Sequence, residues 1–332
     1  MKKILILAFA FSVLLAISAC DQPQAPAAAA TEGGRPDRSD QLYIQIGALT
    51  ALDYFYDHMM GLRLVGESLG VQTDFVGPTD YDLTAMVAAF DASIARRPNG
   101  ILVFGFDEVL TPSIRRAIAE GIPVVTVGAD LPDSGRLAFI GTGHRSVGRL
   151  GGEYLVNLLG DTFTVGVLTF PGQFHTDERV AGYMEIFDRH PGIEVVQIVD
   201  TQSDPVVAAA GATALLQAFP NLDAIICVEA AGGTGAATAV REAGLAGQVT
   251  VIAMDRGNEV IHEILEGVIT ASVAQQSAIM PYYAVQLLYN LNNSHVGITS
   301  DNAAAGVLGV PTMIDTGPVI INYANARYFL RD

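Results

Sequence analysis

From Leu42 onward, short and almost unbroken apolar runs alternate with longer stretches in which apolar residues return every three or four positions. The runs are LYIQIGA, GILVFGF, IPVVTVG, FTVGVLTF, IEVVQIVD, DAIICVE, QVTVIAMD and ITASVAQ. Their length and β-branched content predict strands apolar on both faces, the mark of parallel sheets covered on each side. Between them VAAFDASIARR, PSIRRAIAEG and AGATALLQAF carry the helical period. Strands alternating with helices predict βαβ units and an α/β fold.

Each of the eight runs is followed by a polar or aromatic cluster: DYFYD, FDE, GAD, PGQFHTDER, TQSD, EAAGG, DRGN and QQS, in chain order. In open parallel sheets, ligands sit beyond the carboxyl ends of the strands, so binding chemistry is expected in these segments. One such cluster alone is no more than an exposed loop. Eight at the same place in the repeat predict a site.

The first 40 residues follow neither pattern. Lys2 and Lys3 precede an apolar run from Ile4 to Ile17 and then the small residues Ser18 and Ala19, the layout of an export signal over residues 1–19. The run is shorter than the roughly 20 residues of a membrane span, which puts a transmembrane anchor second. Ile17-Ser18-Ala19-Cys20 resembles a bacterial lipobox, which implies cleavage before Cys20 and lipid on that cysteine. Ordinary secretory cleavage is the alternative. By resemblance to Gram-negative lipoproteins, Asp21 implies retention at the inner membrane. Residues 20–40, rich in Ala and Pro and then in Gly, Asp and Arg, read as a flexible tether.

At 332 residues, half of them hydrophobic, the chain can bury a large core, and two domains are expected. Its formal charge of −17 becomes −19 once Lys2 and Lys3 leave with the signal. So acidic a surface excludes phosphate-led nucleic-acid binding and electrostatic capture by anionic lipid. With Cys20 lipidated, Cys227 has no intramolecular partner, and its apolar surroundings mark it as a buried, inert thiol.

Two catalytic patterns fail on context. Gly66-Glu67-Ser68-Leu69-Gly70 fits G-x-S-x-G, but a nucleophile elbow needs a strand before the serine and a helix after it. Here HMMGLRLVGES before it is helical and VQTDFV after it is a strand, so Gly70 is a helix C-cap. Gly232-Gly233-Thr234-Gly235 lacks the third glycine of a dinucleotide fingerprint, since Thr238 stands there, and is expected to serve a tight turn and helix start. No paired histidines or C-x-x-C suggest a metal, and no cofactor or catalytic constellation is expected.

Four stretches carry a family likeness: GIPVVTVGADLPDSGRLAFIGTGHRSVGRLGGEYL, DERVAGY, VTVIAMDRGNEVIHEILEGVITASVAQ and VPTMIDTGPVIIN. From Leu42 to about Asn325 the chain resembles the type I periplasmic substrate-binding proteins of the ribose, galactose and xylose class, which feed ABC transporters. The resemblance implies two Rossmann-like lobes with parallel sheets, joined by a three-strand hinge, with ligand held between them. It places residues 41–143 plus 276–310 in the N-terminal lobe and 144–275 plus 311–332 in the C-terminal lobe. LacI-type repressors share the fold, but export and acidity exclude that version.

The resemblance also implies site residues. Tyr54 and Phe55 match an aromatic pair that stacks on a sugar ring, with lobe packing as the alternative. Arg179, Asp255 and Gln275 match groups that hydrogen-bond ligand hydroxyls, with a salt bridge or exposed loop as the alternative. Asp53, Asp107, Asp130, His175 and Glu229 are weaker candidates. The chain departs from the family at Gly128, where Asp is usual, at Glu229, where Asn is common, at Gly143-His144, which replaces an Asp-Asn pair, and at Ser203, often aromatic. Capture of a monosaccharide or polyol for a membrane transporter is the expected function. Presentation of the solute to a chemoreceptor or histidine kinase is the second reading, and an exported hydrolase, resting on Ser68, the third.

Overall fold

The computed structural model describes residues 37–331, except 295 and 303, and only the backbone of Asp53. The export signal, Cys20 and most of the tether lie outside the described residues.

Two six-stranded sheets organise the rest. The first contains β1 (Leu42–Ile46), β2 (Gln72–Val76), β3 (Gly100–Val103), β4 (Val124–Val127), β5 (Ala138–Gly141) and β11 (Met313–Asp315), in the order β11-β5-β4-β3-β1-β2. The second contains β6 (Thr162–Thr169), β7 (Gly192–Asp200), β8 (Ala224–Cys227), β9 (Thr250–Met254), β10 (Ala271–Gln275) and β12 (Pro318–Asn322), in the order β12-β10-β9-β8-β6-β7. Neighbours are parallel except β12, which runs antiparallel to β10. All eight apolar runs are strands, and VQTDFV is β2.

Helices cover both faces of each sheet, which is why the central strands carry no polar alternation. Ile44, Ile46, Ile101 and Val103 pack under α2 (Leu83–Ala95) and α3 (Thr111–Ala119). The alternate residues Tyr43, Leu102 and Val125 pack under α1 (Asp53–Leu69) and α9 (Ile279–Asn293). In the second lobe, α4 (His144–Leu159) and α5 (Phe174–Phe187) cover one face. The other is covered by α6 (Pro205–Ala218), α7 (Ala230–Glu242) and α8 (Asn258–Leu265).

Gly70 ends α1 in the left-handed conformation, φ 69°, with its N–H on the Gly66 carbonyl, and Ser68 lies inside that helix. No nucleophile elbow exists there. Cys227 is buried in the β8 core, and desolvation raises its thiol well above the ordinary range. The glycines after β8 differ from expectation. Glu229 caps α7, so Gly232, Gly233 and Gly235 are already helical, and no turn is made of them. They are glycines because α7 is pressed against its neighbours: a Cβ on Gly233 would lie 2.9 Å from the Ala253 Cβ, and one on Gly235 2.5 Å from the Ala208 Cβ.

Three crossovers join the lobes, after β5, after β10 and between β11 and β12. The sequence resemblance places the last crossing ahead of residue 311. Because β11 pairs with β5 in the first sheet, it falls instead at Thr316-Gly317. The crossovers are tied to one another. The Thr142 and Thr316 hydroxyls meet at 3.0 Å, and Gln276 Nε2 donates to the Thr316 carbonyl at 2.6 Å. The Asp315 carboxylate accepts from the N–H groups of Gly143 and Gly317 at 3.2 and 2.9 Å.

Candidate functional site

The carboxyl ends of both sets of strands face one cleft, and its polar residues, two of them charged, are closed off from water. Arg179, His144, Gln275 and Glu229 are only 4, 5, 5 and 6% exposed. Buried charge of this kind persists only when partnered.

Arg179 owes its position to glycine. A Cβ on Gly148 would fall 2.0 Å from the Arg179 carbonyl oxygen, and one on Gly182 2.2 Å from that of Arg145, so α4 and α5 touch backbone to backbone. That contact puts Arg179 beside the β8 terminus, where Nη1 donates to the Val228 carbonyl at 2.8 Å. Burial lowers the guanidinium pKa, and the charges of Asp255 and Glu229 work against that shift.

Asp255 follows β9 in the left-handed region, φ 67°, an uncommon backbone for a non-glycine residue. The Ser272 hydroxyl holds its carbonyl at 2.5 Å, and Gln275 Nε2 reaches its carboxylate at 3.5 Å. Burial raises the Asp255 pKa, and Arg179 and Gln275 offset part of that rise. Glu229 accepts from the Ala231 N–H at 2.8 Å and the Thr201 hydroxyl at 2.9 Å, and from Ser203 at 3.4 Å. The position where aromatic residues are frequent thus holds a serine that braces this carboxylate.

The predicted aromatic pair separates. Tyr54 and Phe55 are consecutive on α1, so their side chains point about 100° apart. Tyr54 faces the cleft, within range of the charges of Asp255 and Arg179, and desolvation raises its phenol pKa. Phe55 is 1% exposed in the lobe core, packed on Phe75 and Phe104. It backs the cleft wall; it does not line it. A line of rings continues from Tyr54 through Phe104 and Phe106 to His175, with centroids 5.9, 5.8 and 5.9 Å apart. His144 follows 6.0 Å from His175.

Gly128 has φ 74°, and a Cβ there would stand 2.8 Å from both the Tyr54 hydroxyl and the Phe104 ring. The space of the carboxylate implied by the resemblance is therefore filled by aromatic groups. Asp130 does not substitute for it, since Arg136 clasps it through Nε and Nη2 at 2.6 Å each, with Thr126 and the Leu131 N–H also donating. Asp107 caps the turn over Glu108–Leu110 by accepting from the Val109 N–H. The structure brings Tyr54, His175, Arg179, Glu229, Asp255 and Gln275 together, and uses Phe55, Asp107 and Asp130 in its frame. Asp53 opens α1.

His144, Phe104 and Phe106 were not among the expected site residues. The signal for His144 was its place at the helix start immediately after the Gly141-Thr142-Gly143 crossover. Among the described residues, five polar atoms of the cleft are buried with no protein partner: Arg179 Nε, Gln275 Oε1, Thr169 Oγ1 and both ring nitrogens of His144. No cluster of three His, Cys, Asp or Glu among the described residues could hold a metal ion.

Two α/β lobes with polar groups converging on the cleft between them define a solute-binding protein. The chain belongs to the periplasmic binding protein family, whose domain profile matches residues 50–294. Members of that family are binding proteins. It is 26% identical to the D-ribose/D-allose-binding protein of Pseudomonas aeruginosa over 262 residues, 77% of this chain and 74% of that one. It is 27% identical to the D-allose-binding periplasmic protein of Escherichia coli over 75% of this chain and 84% of that one. Among solved structures, an arabinose-binding protein from Geobacillus stearothermophilus superposes with TM-score 0.80 and 29% identity, covering 88% of this chain and 99% of the other. A Burkholderia graminis solute-binding protein in complex with D-arabinose gives TM-score 0.77 and 26% identity, covering 89% of this chain and 99% of the other.

Proposed function

We propose that this protein captures a monosaccharide or polyol outside the cytoplasm and delivers it to an ABC importer, without breaking a bond. The observation that carries this reading is the set of five unpartnered buried polar atoms in the cleft. Leaving such groups unmatched costs roughly 1–3 kcal/mol each. A polyhydroxylated solute offers donors and acceptors in turn, which matches Arg179 Nε, a donor, and Gln275 Oε1, an acceptor. The aromatic wall from Tyr54 suits the C–H face of a sugar ring. The named ligands of the relatives support the same class. Tyr54, His175, Arg179, Glu229, Asp255 and Gln275 are the proposed contacts.

The test is a thermal-shift panel of pentoses, hexoses, polyols, amino sugars and nucleosides on protein lacking residues 1–19. A ligand at a thousand times its Kd should stabilise by about 4 kcal/mol. A large shift with one sugar supports the reading, and a flat response to every sugar ends it.

The same proposal includes lipid on Cys20, which would hold the receptor at the membrane surface beside its transporter. Labelling with a radioactive fatty acid should mark the full chain and not Cys20→Ala. Equal labelling of both would remove the anchor and leave the sugar reading standing.

A further inference from the structure

His144 opens α4 directly after a crossover, so it stands where the two lobes meet. Its ring is enclosed by Phe139 at 6.1 Å, Phe174 at 6.3 Å and His175 at 6.0 Å between centroids. The residue is 5% exposed, yet neither Nδ1 nor Nε2 has a partner in the protein. A neutral imidazole presents one donor and one acceptor, so both of its hydrogen-bonding capacities go unused in the protein frame. Such a group is destabilising unless something outside the chain answers it. Arg179 and His175 are the cationic or titratable groups whose charge reaches it. Burial, with those charges adding to it, takes the His144 pKa down to about 2. A ring held uncharged beside a guanidinium is suited to a hydroxyl, which can accept from one imidazole nitrogen or donate to the other.

We propose that His144 is a specificity-determining contact of this cleft, reading one hydroxyl of a neutral sugar or polyol. The resemblance implies Asn at this position, so an imidazole contact here would set this chain apart from that pattern. The inference rests on the proposed sugar-binding function and adds a residue and a selection rule to it. The rule is that one hydroxyl of the ligand is recognised by an imidazole, and ligands lacking that hydroxyl lose affinity through His144 alone.

The experiment uses the tightest sugar from the thermal-shift panel and its complete set of monodeoxy analogues. Dissociation constants are measured by calorimetry for the wild type, His144→Phe and His144→Ala. Phenylalanine keeps the ring packing and removes both nitrogens; alanine covers the case in which the larger ring fails to fold. The parent sugar should bind the variant about tenfold more weakly, the loss expected for one hydrogen bond. One deoxy analogue, and only one, should bind wild type and variant equally. Unchanged affinity for the parent sugar would overturn the inference, since it would assign those nitrogens to trapped water. An equal loss for every analogue would also overturn it, by reducing His144 to a packing residue. In both cases the sugar-binding reading survives. If the wild type binds no sugar at all, both fall together.

Discussion

Arg256 and Asp57 stand 199 positions apart in the chain and grip each other across the two lobes. Nε donates to Oδ2 at 2.7 Å and Nη2 to Oδ1 at 2.5 Å. Asp57 is fully buried on α1, Ser277 donates to it from the hinge side, and Arg331 approaches it at 3.0 Å from the chain end. Burial by itself would raise this carboxyl; the Arg256 and Ser277 hydrogen bonds and the Arg331 charge outweigh it and hold the pKa below the usual value. Arg256 directly follows the proposed ligand carboxylate Asp255, so filling the cleft and locking the lobes involve adjacent residues.

Removing one member of a buried ion pair is far more damaging than losing the pair to apolar groups. Asp57→Asn is expected to weaken solute affinity about tenfold to a hundredfold, by favouring the open form. Small-angle scattering of the unliganded variant should give a larger radius of gyration than the wild type. An unchanged radius and an unchanged Kd would mean that the pair plays no part in closure.

Arg179→Ala and Asp255→Ala should each weaken binding about tenfold to a hundredfold, the loss of one charged hydrogen bond. Circular dichroism should report an intact fold. Calorimetry on both variants decides the matter, and wild-type affinity in both would remove these residues from the site.

Stability should fall on mild acidification. Burial takes the His58 and His175 pKa values down to about 3 and that of His144 to about 2. The unfolded chain binds protons on these rings below about pH 6.5 while the folded chain does not, so stability is complete above that pH and is lost as pH falls. Each ring contributes a slope of about 1.4 kcal/mol per pH unit within the window. Asp255, raised by burial, opposes this at the acid end, and Asp57, lowered, adds to it there. A melting temperature that stays level from pH 7 to pH 4.5 would contradict the burial of these imidazoles.

Gly128→Asp, which restores the family's usual carboxylate, is expected to destabilise the protein. The left-handed backbone costs a side-chain-bearing residue about 1–2 kcal/mol, and its Cβ collides with Tyr54 and Phe104. Combining it with Tyr54→Phe should recover part of the loss, because the phenol oxygen is one of the two obstructing atoms. Thermal denaturation of the two single variants and the double variant tests this; additive losses would show that Tyr54 and Gly128 are not packed on each other.

The periodicity of the chain was enough for the layered α/β architecture, because short β-branched apolar runs such as GILV and AIIC recur between longer stretches of helical period. The edge strand β11 was harder. MID is only three residues long, and its membership of the first sheet follows from pairing with Phe139–Gly141, which no local pattern encodes. The sequence placed Arg179, Asp255 and Gln275 at strand ends, and the structure gathers all three in the cleft. Direction was not legible: Tyr54 and Phe55 look equivalent as letters, and only the helix phase sends one to the cleft and the other to the core. Asp130 shows the same limit, since its partner Arg136 lies six residues on, in a segment with no period of its own.

The crossing between β11 and β12 also bears on when the protein can fold. Each sheet receives its last strand from within residues 313–322, after every other strand of both sheets. Neither lobe can complete its sheet while the ribosome is still translating the middle of the message. Contacts this distant in sequence form late and slowly. A late-arriving strand in each lobe leaves both sheets one edge short until the strands of residues 313–322 have been synthesised.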